Sequence, residues 1–281
     1  MFSGRRRPGD LQFFLDGMEA PPHYTLHVVS MDIVVSAIWG DAMAPGTRSY
    51  WQKAALDGFV VALMAGPPCE TWSKARGQAI NAMPNRRLPR ILRTADQLWG
   101  LPSLALKELE QVLTGNQLLS FTLLMAVIMV QVAGIGAIEH PAEPDDAEAA
   151  SIFPAVLALL NAPGVQRHRL AQGLFGAPSA KATELMAINM PSLVTNLRSW
   201  MLRKELPRGA SIGLTSDGQW RTGVLKEYPP AMCGALASSF RHELDQVQTK
   251  AGGDPTAQDL ALWASLEVTS YSAHIGADYA G

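Results

Sequence analysis

The sequence predicts an α/β fold with a mostly parallel sheet covered by helices on both faces. Two observations carry that expectation. Short runs that are apolar at every position, such as residues 59–65 (FVVALMA), suit strands buried under two layers rather than one. They alternate with longer segments of helical pattern, the order that builds parallel sheets. The chain is long enough for one large core: 281 residues, 48% apolar and 17% charged, which excludes bulk disorder.

Along the chain, residues 10–18 read as a short helix with Asp10 as its N-cap after Gly9. Residues 26–35 are β-branched and apolar and read as a buried strand that ends near Asp32. Residues 47–56 read as a helix stopped by Gly58, and residues 59–65 as a strand stopped by Gly66-Pro67-Pro68. Residues 81–93 are a basic, proline-containing loop. Residues 103–132 read as two helices broken near Gly115, and 136–139 as a short strand. A helix over 151–160, weaker strands over 165–170 and 184–189, a glycine-rich loop over 209–223 and a helix over 229–247 follow. Residues 1–250 are expected to form the domain, and 251–281 a peripheral C-terminal tail with a helix over 254–266.

Composition narrows function. A net charge of −2 excludes a generally basic nucleic-acid coat, so nucleic-acid binding has to come from local patches. The two cysteines form no CxxC pair and neither a zinc site nor a disulfide scaffold is expected, which points to a reducing, intracellular compartment, nucleus or cytoplasm. The first eight residues hold no apolar core of a signal peptide. Residues 118–138 carry no charge over a length that could span a bilayer. Gly134 and Gly136 interrupt the run and no aromatic belt flanks it, so it reads as a buried helix running into a buried strand.

Ligands of such sheets sit beyond the C-terminal ends of the strands, and three strand ends here carry chemically useful residues: Asp32, Cys69 and Glu139. Pro67 and Pro68 stiffen the turn that presents Cys69. A helix starting at Glu70 would favour the thiolate and make the sulfur a nucleophile. The same residues also suit an ordinary buried thiol. Glu139 ends an apolar run, where desolvation would let it share or donate a proton; a salt-bridging glutamate fits that position too.

Gly66-Pro67-Pro68-Cys69-Glu70-Thr71-Trp72-Ser73 resembles the Pro-Cys nucleophile loop of the C5-cytosine DNA methyltransferases, and Ile138-Glu139-His140-Pro141 is similar to their Glu-Asn-Val or Glu-Asn-Pro motif. Phe2-Ser3-Gly4 resembles their first cofactor motif, Asp32 an acidic ribose ligand, and Gly40-Asp41 the motif whose Asp meets the adenine amino group. The stretch from Leu170 to Gly176 with Lys181-Ala182-Thr183 resembles a Gln-containing and Lys-Pro-Thr stretch of phage-type DNA methylases. Tyr228-Pro229-Pro230-Ala231-Met232-Cys233 is similar to a helix start that closes that family. The departures are definite. Arg5-Arg6-Arg7 replace the second glycine of the first motif, His140 stands for Asn, Glu70 for Gln, Ala182 for Pro and Gly173 for Cys. With Met1 alone ahead of Phe2, the Rossmann-like sheet that the resemblance implies has a truncated first strand, leaving its neighbours, residues 26–30 and 59–65, with unpaired backbone and the fold marginal.

The resemblance implies that Cys69 attacks C6 of a cytosine flipped out of DNA, while Glu139 holds N3 and the exocyclic amino group. S-adenosylmethionine would be the cofactor, met by Phe2, Gly4, Asp32, Asp41 and Pro67. Ser73, Arg76, Arg86, Arg87, Arg90 and Arg93 would contact the nucleic acid, arginine being suited to bidentate phosphate contacts. No metal and no membrane partner is implied. The altered first motif also fits a methyltransferase-like domain that binds nucleic acid or a protein without catalysis. An unrelated cysteine hydrolase would need a base that no histidine motif marks.

Overall fold

The computed structural model describes residues 1–2, 4–18, 27–72, 76, 90–142, 161–208 and 226–246. The expected helix over 151–160, the loop over 209–223, the C-terminal tail and most of the basic loop lie outside them.

The helix α1 (Leu11–Asp16) starts where expected, because the Asp10 carboxylate accepts the Phe13 amide at 2.7 Å. The helix α2 (Pro45–Leu56) uses proline in its first turn, where no amide partner is needed. The strand β1 (Ala62–Ala65) leads to the Cys69 loop, and the helix α3 (Leu106–Gln131) feeds the strand β2 (Ile135–Pro141). The strands β3 (Val165–Ala171) and β4 (Ala182–Ile188) flank a short 3₁₀ turn at Gln172–Phe175. The helices α4 (Leu193–Ser199) and α5 (Pro230–Leu244) complete the described fold. The short α4 is the element that the residue pattern did not signal.

The four strands lie in the order β1-β2-β4-β3. β1 and β2 are parallel, and β4 runs antiparallel to both β2 and β3. The sheet is therefore mixed, which corrects the expected mostly parallel arrangement. The cause is local: residues 172–181 are too few for the crossover of about a dozen residues or more that parallel neighbours require, so β3 and β4 pair as a hairpin. Helices on both faces are as expected. Ala55 of α2 and much of α3 pack with Leu63, Ile138 and Ile188 on one face. Leu11 and Leu15 of α1, Leu193 of α4 and Leu236 of α5 pack with Ala137, Leu185 and Ala187 on the other. β2 is covered on both sides, which is why residues 135–140 are all buried.

Two further expectations are corrected. Residues 103–132 hold one helix, because Gly115 does not break it. A Cβ at Gly115 would meet the Trp72 ring at 3.1 Å and Thr71 Oγ1 at 3.3 Å, so this glycine admits the segment after Cys69 against α3. Among the described residues α3 is the one helix long and apolar enough to cross a membrane, and most of it is buried inside the fold. Residues 27–35 form no strand. Their neighbour is the Met1-Phe2 dipeptide, which offers Met31 the Phe2 amide at 2.7 Å, while the Met1 amine meets the Met64 carbonyl and the Met1 carbonyl accepts the Gly66 amide at 3.4 Å. Met1 and Phe2 thus lie between Met31 and the end of β1.

Candidate active site

Glu139 points out of the fifth position of β2 and is 5% exposed. Its carboxylate is enclosed by donors from three other segments. Gln172 Nε2 donates to Oε1 at 3.2 Å, Thr183 Oγ1 lies 3.4 Å from the same oxygen, and Lys181 Nζ stands 3.6 Å from it. Tyr228 donates its hydroxyl to Oε2 at 3.3 Å. The β3–β4 hairpin explains the first three: antiparallel pairing of Glu139 with Leu185 brings the start of β4 and the 3₁₀ turn beside it. Lys181 has a φ of +36°, a left-handed conformation that a residue with a Cβ adopts only under constraint. A buried carboxylate is stable only when paired and hydrogen-bonded, and here it is both.

Cys69 lies beyond β1, parallel to β2 and next to it, so the thiol and Glu139 share one end of the sheet. Pro67 is buried and Pro68 exposed, which turns the chain outward before the half-buried Cys69. Burial, then the charge of Glu139, push the thiol up to about 12, with Lys181 opposing and Glu70 adding to the rise. Residues 70–72 form a turn, and the charge of Glu139 outweighs that of Lys181 at the thiol. Glu70 is itself joined to Lys226, two residues before Tyr228.

Of the residues expected to meet a cofactor, Phe2, Gly4 and Asp32 are brought together. Gly4 donates its amide to Asp32 Oδ2 at 2.8 Å, and Asp32 Oδ1 accepts the Val34 amide at 2.9 Å. Phe2 bonds to Met31 as above, and a Cβ at Gly40 would lie 2.1 Å from the Asp32 carbonyl oxygen, so the backbone just ahead of Asp41 packs against that of Asp32. Asp41 Oδ1 accepts the Met43 amide at 2.9 Å. Each carboxylate keeps acceptor capacity beyond these bonds. Gly4 has φ +67°, with no described residue within 4 Å of where a Cβ would be, and Ile33 and Trp39 beside the two aspartates are 58% and 48% exposed. Carboxylate acceptors thus lie next to exposed apolar surface. Arg6 and Arg7 turn away from this space, to Asp10 and Asp16 and to Glu227 and the Tyr228 carbonyl.

The arginines divide. Arg93 is 1% exposed, so it is no phosphate ligand, which corrects that expectation. It donates to Thr71 Oγ1 at 3.0 Å, Asn116 Oδ1 at 2.8 Å and the carbonyls of Leu98 and Val112 at 2.6 and 3.2 Å. Arg90 is exposed and grips Glu108 through two contacts of 2.9 Å. Arg76 donates to the Glu70 carbonyl at 2.8 Å and to Gln111 at 3.1 Å. Ser73, Arg86 and Arg87 lie outside the described residues.

Gln172, Lys181, Thr183 and Tyr228 carried no assigned role in the sequence, although each sits in a segment that resembles the methylases. Their order along the chain was visible; their meeting at Glu139 depends on the hairpin and on α5, which spacing does not encode. Among the described residues no group of histidine, cysteine, aspartate and glutamate could hold a metal ion. No family model matches this chain, and no curated protein and no solved structure is significantly similar to it.

Proposed function

We propose that this chain transfers a methyl group from S-adenosylmethionine to C5 of cytosine in DNA, with Cys69 as nucleophile and Glu139 as the group that holds the base. The observation that carries the reading is the convergence of Gln172, Lys181, Thr183 and Tyr228 on Glu139, one strand away from Cys69. These residues come from separate segments, each resembling the same family. Cys69 Sγ bonds to C6 of the flipped base, and the thiol proton ends on N3 with Glu139 between them. Asp32 and Asp41 hold the ribose and adenine, and S-adenosylmethionine supplies an electrophilic methyl group when bound. C5 takes that methyl group and S-adenosylhomocysteine leaves; loss of the C5 proton to water then expels the Cys69 thiolate from C6, and the proton held on N3 returns to the sulfur and restores the thiol.

DNA with 5-fluorocytosine at target cytosines tests the reading, because fluorine at C5 cannot leave as a proton and the adduct persists. A covalent complex that needs cofactor and disappears in Cys69→Ser is expected. Trapping through Cys233 instead would overturn the assignment. A second reading, a methyltransferase-like domain that binds nucleic acid or a protein without catalysis, is favoured by the Cys69 thiol at about 12. Binding of DNA with no adduct in the same experiment would support it.

A further inference from the structure

The four donors around Glu139 are not equivalent. Gln172, Thr183 and Lys181 all reach Oε1. Among the described residues Tyr228 is the donor at Oε2. A carboxylate oxygen accepts about two hydrogen bonds, so Oε1 is filled and Oε2 keeps one lone pair. Tyr228 reaches that oxygen because residue 66 is glycine: a Cβ there would lie 2.2 Å from Tyr228 Oη and 3.6 Å from Glu139 Oε2. The tyrosine backbone is tied down as well, its carbonyl accepting from Arg7 at 2.9 Å ahead of α5.

We propose that Tyr228 is a positioning residue for Glu139: its hydroxyl, admitted by Gly66, fixes Oε2 so that the remaining lone pair of that oxygen faces the N3 and amino edge of the incoming base. The inference rests on the methyl-transfer reading for the identity of the base, and on geometry for the contact. Glu139 of β2, Lys181 ahead of β4 with its ammonium 5.8 Å from the ring centroid, Cys69 after β1 and Cys233 of α5 are the charged and titratable groups around the phenol. Burial first, and then the negative charge of Glu139, hold the phenol well above its ordinary range. Tyr228 therefore stays protonated and donates.

The test labels the five tyrosines with ¹³C at Cζ. The signal absent from Tyr228→Phe belongs to Tyr228. In the wild-type chain it is expected to hold its phenol shift past the point near pH 10 where the phenol of a free tyrosine titrates. Glu139→Gln should lower its midpoint, because it removes the negative charge that helps to raise it. Gly66→Ala should expel the phenol and bring its titration down into the ordinary phenol range. A Tyr228 signal that titrates in the ordinary phenol range in the wild type overturns the contact. With 5-fluorocytosine DNA and cofactor, Tyr228→Phe and Gly66→Ala should each form the adduct about 10-fold more slowly at unchanged DNA affinity. An unchanged rate in Tyr228→Phe overturns the positioning role. Absence of any wild-type adduct overturns the methyl-transfer reading and the substrate half of this inference, while the titration decides the Tyr228–Glu139 contact separately.

Discussion

The guanidinium of Arg93 lies over the indole of Trp72, its central carbon 3.5 Å from the ring centroid. Trp72 is the third residue after Cys69, and Arg93 also donates to Thr71. A buried cation with no carboxylate partner among the described residues is held by cation–π attraction and by carbonyl, amide and hydroxyl oxygens. Burial, and the like charge of Arg76, push Arg93 down to about 9, so it remains charged at neutral pH. Its position clamps the end of the nucleophile loop to α3.

Arg93→Met keeps an apolar stem but leaves Asn116 Oδ1 and the Leu98 carbonyl without their donor. Each unsatisfied buried group costs about 1–3 kcal/mol, so a loss of about 3 kcal/mol or more is expected. The midpoint of urea unfolding measures it. Alanine at Arg90, whose bonds are exposed, should cost no more than about 1 kcal/mol. Equal effects of the two substitutions would refute the clamp.

Arg93 also marks the limit of what the sequence could tell. Four arginines in one basic segment look alike as letters, and nothing in their spacing separates a buried clamp from an exposed side chain. The separation comes from Gly115, whose missing side chain makes room for Trp72, Thr71 and Arg93, and that reads from the sequence as a helix break. By contrast, the Cys69 loop and Glu139 were legible because an apolar run of strand length stops at each of them. The helix cap at Asp10 and the strands over 165–170 and 184–189 were legible for similar local reasons. Strand direction was not, since it follows from the length of the β3–β4 connection and from which neighbour β4 meets.

Cys69 and Glu139 should respond to one substitution in opposite senses. The Glu139 charge helps to raise the thiol, so Glu139→Gln should lower it and speed alkylation of Cys69 by iodoacetamide at pH 8. A lowering of about half to one pH unit would give roughly 3- to 10-fold faster alkylation. The same variant should slow adduct formation with 5-fluorocytosine DNA by about 10²–10⁴-fold. A Cys233→Ala background keeps the two cysteines apart. If both rates rise, Glu139 only depresses thiol reactivity and has no part in holding a base.

DNA binding, if it runs through the basic segment, should carry a salt signature. Each phosphate contact contributes about 0.9 to the log–log slope of affinity against salt. Arg86→Ala and Arg87→Ala, and Arg90→Ala despite its Glu108 partner, should each flatten that slope by about this amount. Arg93 is excluded by its burial. A slope that none of the three variants changes would leave the segment as ordinary protein surface.

His140 supplies the pH dependence of the fold. It is 7% exposed, its ring stands edge-on to Trp72 at 6.0 Å, and its Nε2 has no partner among the described residues. Burial, reinforced by Arg93 and opposed by the Pro141 carbonyl, pushes it down to about 4. An unfolded chain titrates its histidines near 6.5, so between these values the unfolded state binds the proton and the folded state does not. The stability that neutral His140 allows is present above about pH 6.5 and is lost as pH falls toward 4, up to about 3 kcal/mol in all. Carboxylates titrate in the same window, so the informative quantity is the difference between wild type and His140→Asn, which puts in the residue usual in the resembling motif. That variant should lose less stability than wild type between pH 7 and pH 5, as measured by urea midpoints at each pH. Parallel curves for the two chains would mean that His140 is solvated or partnered in the folded protein, and that the Trp72–His140 contact does not exclude water.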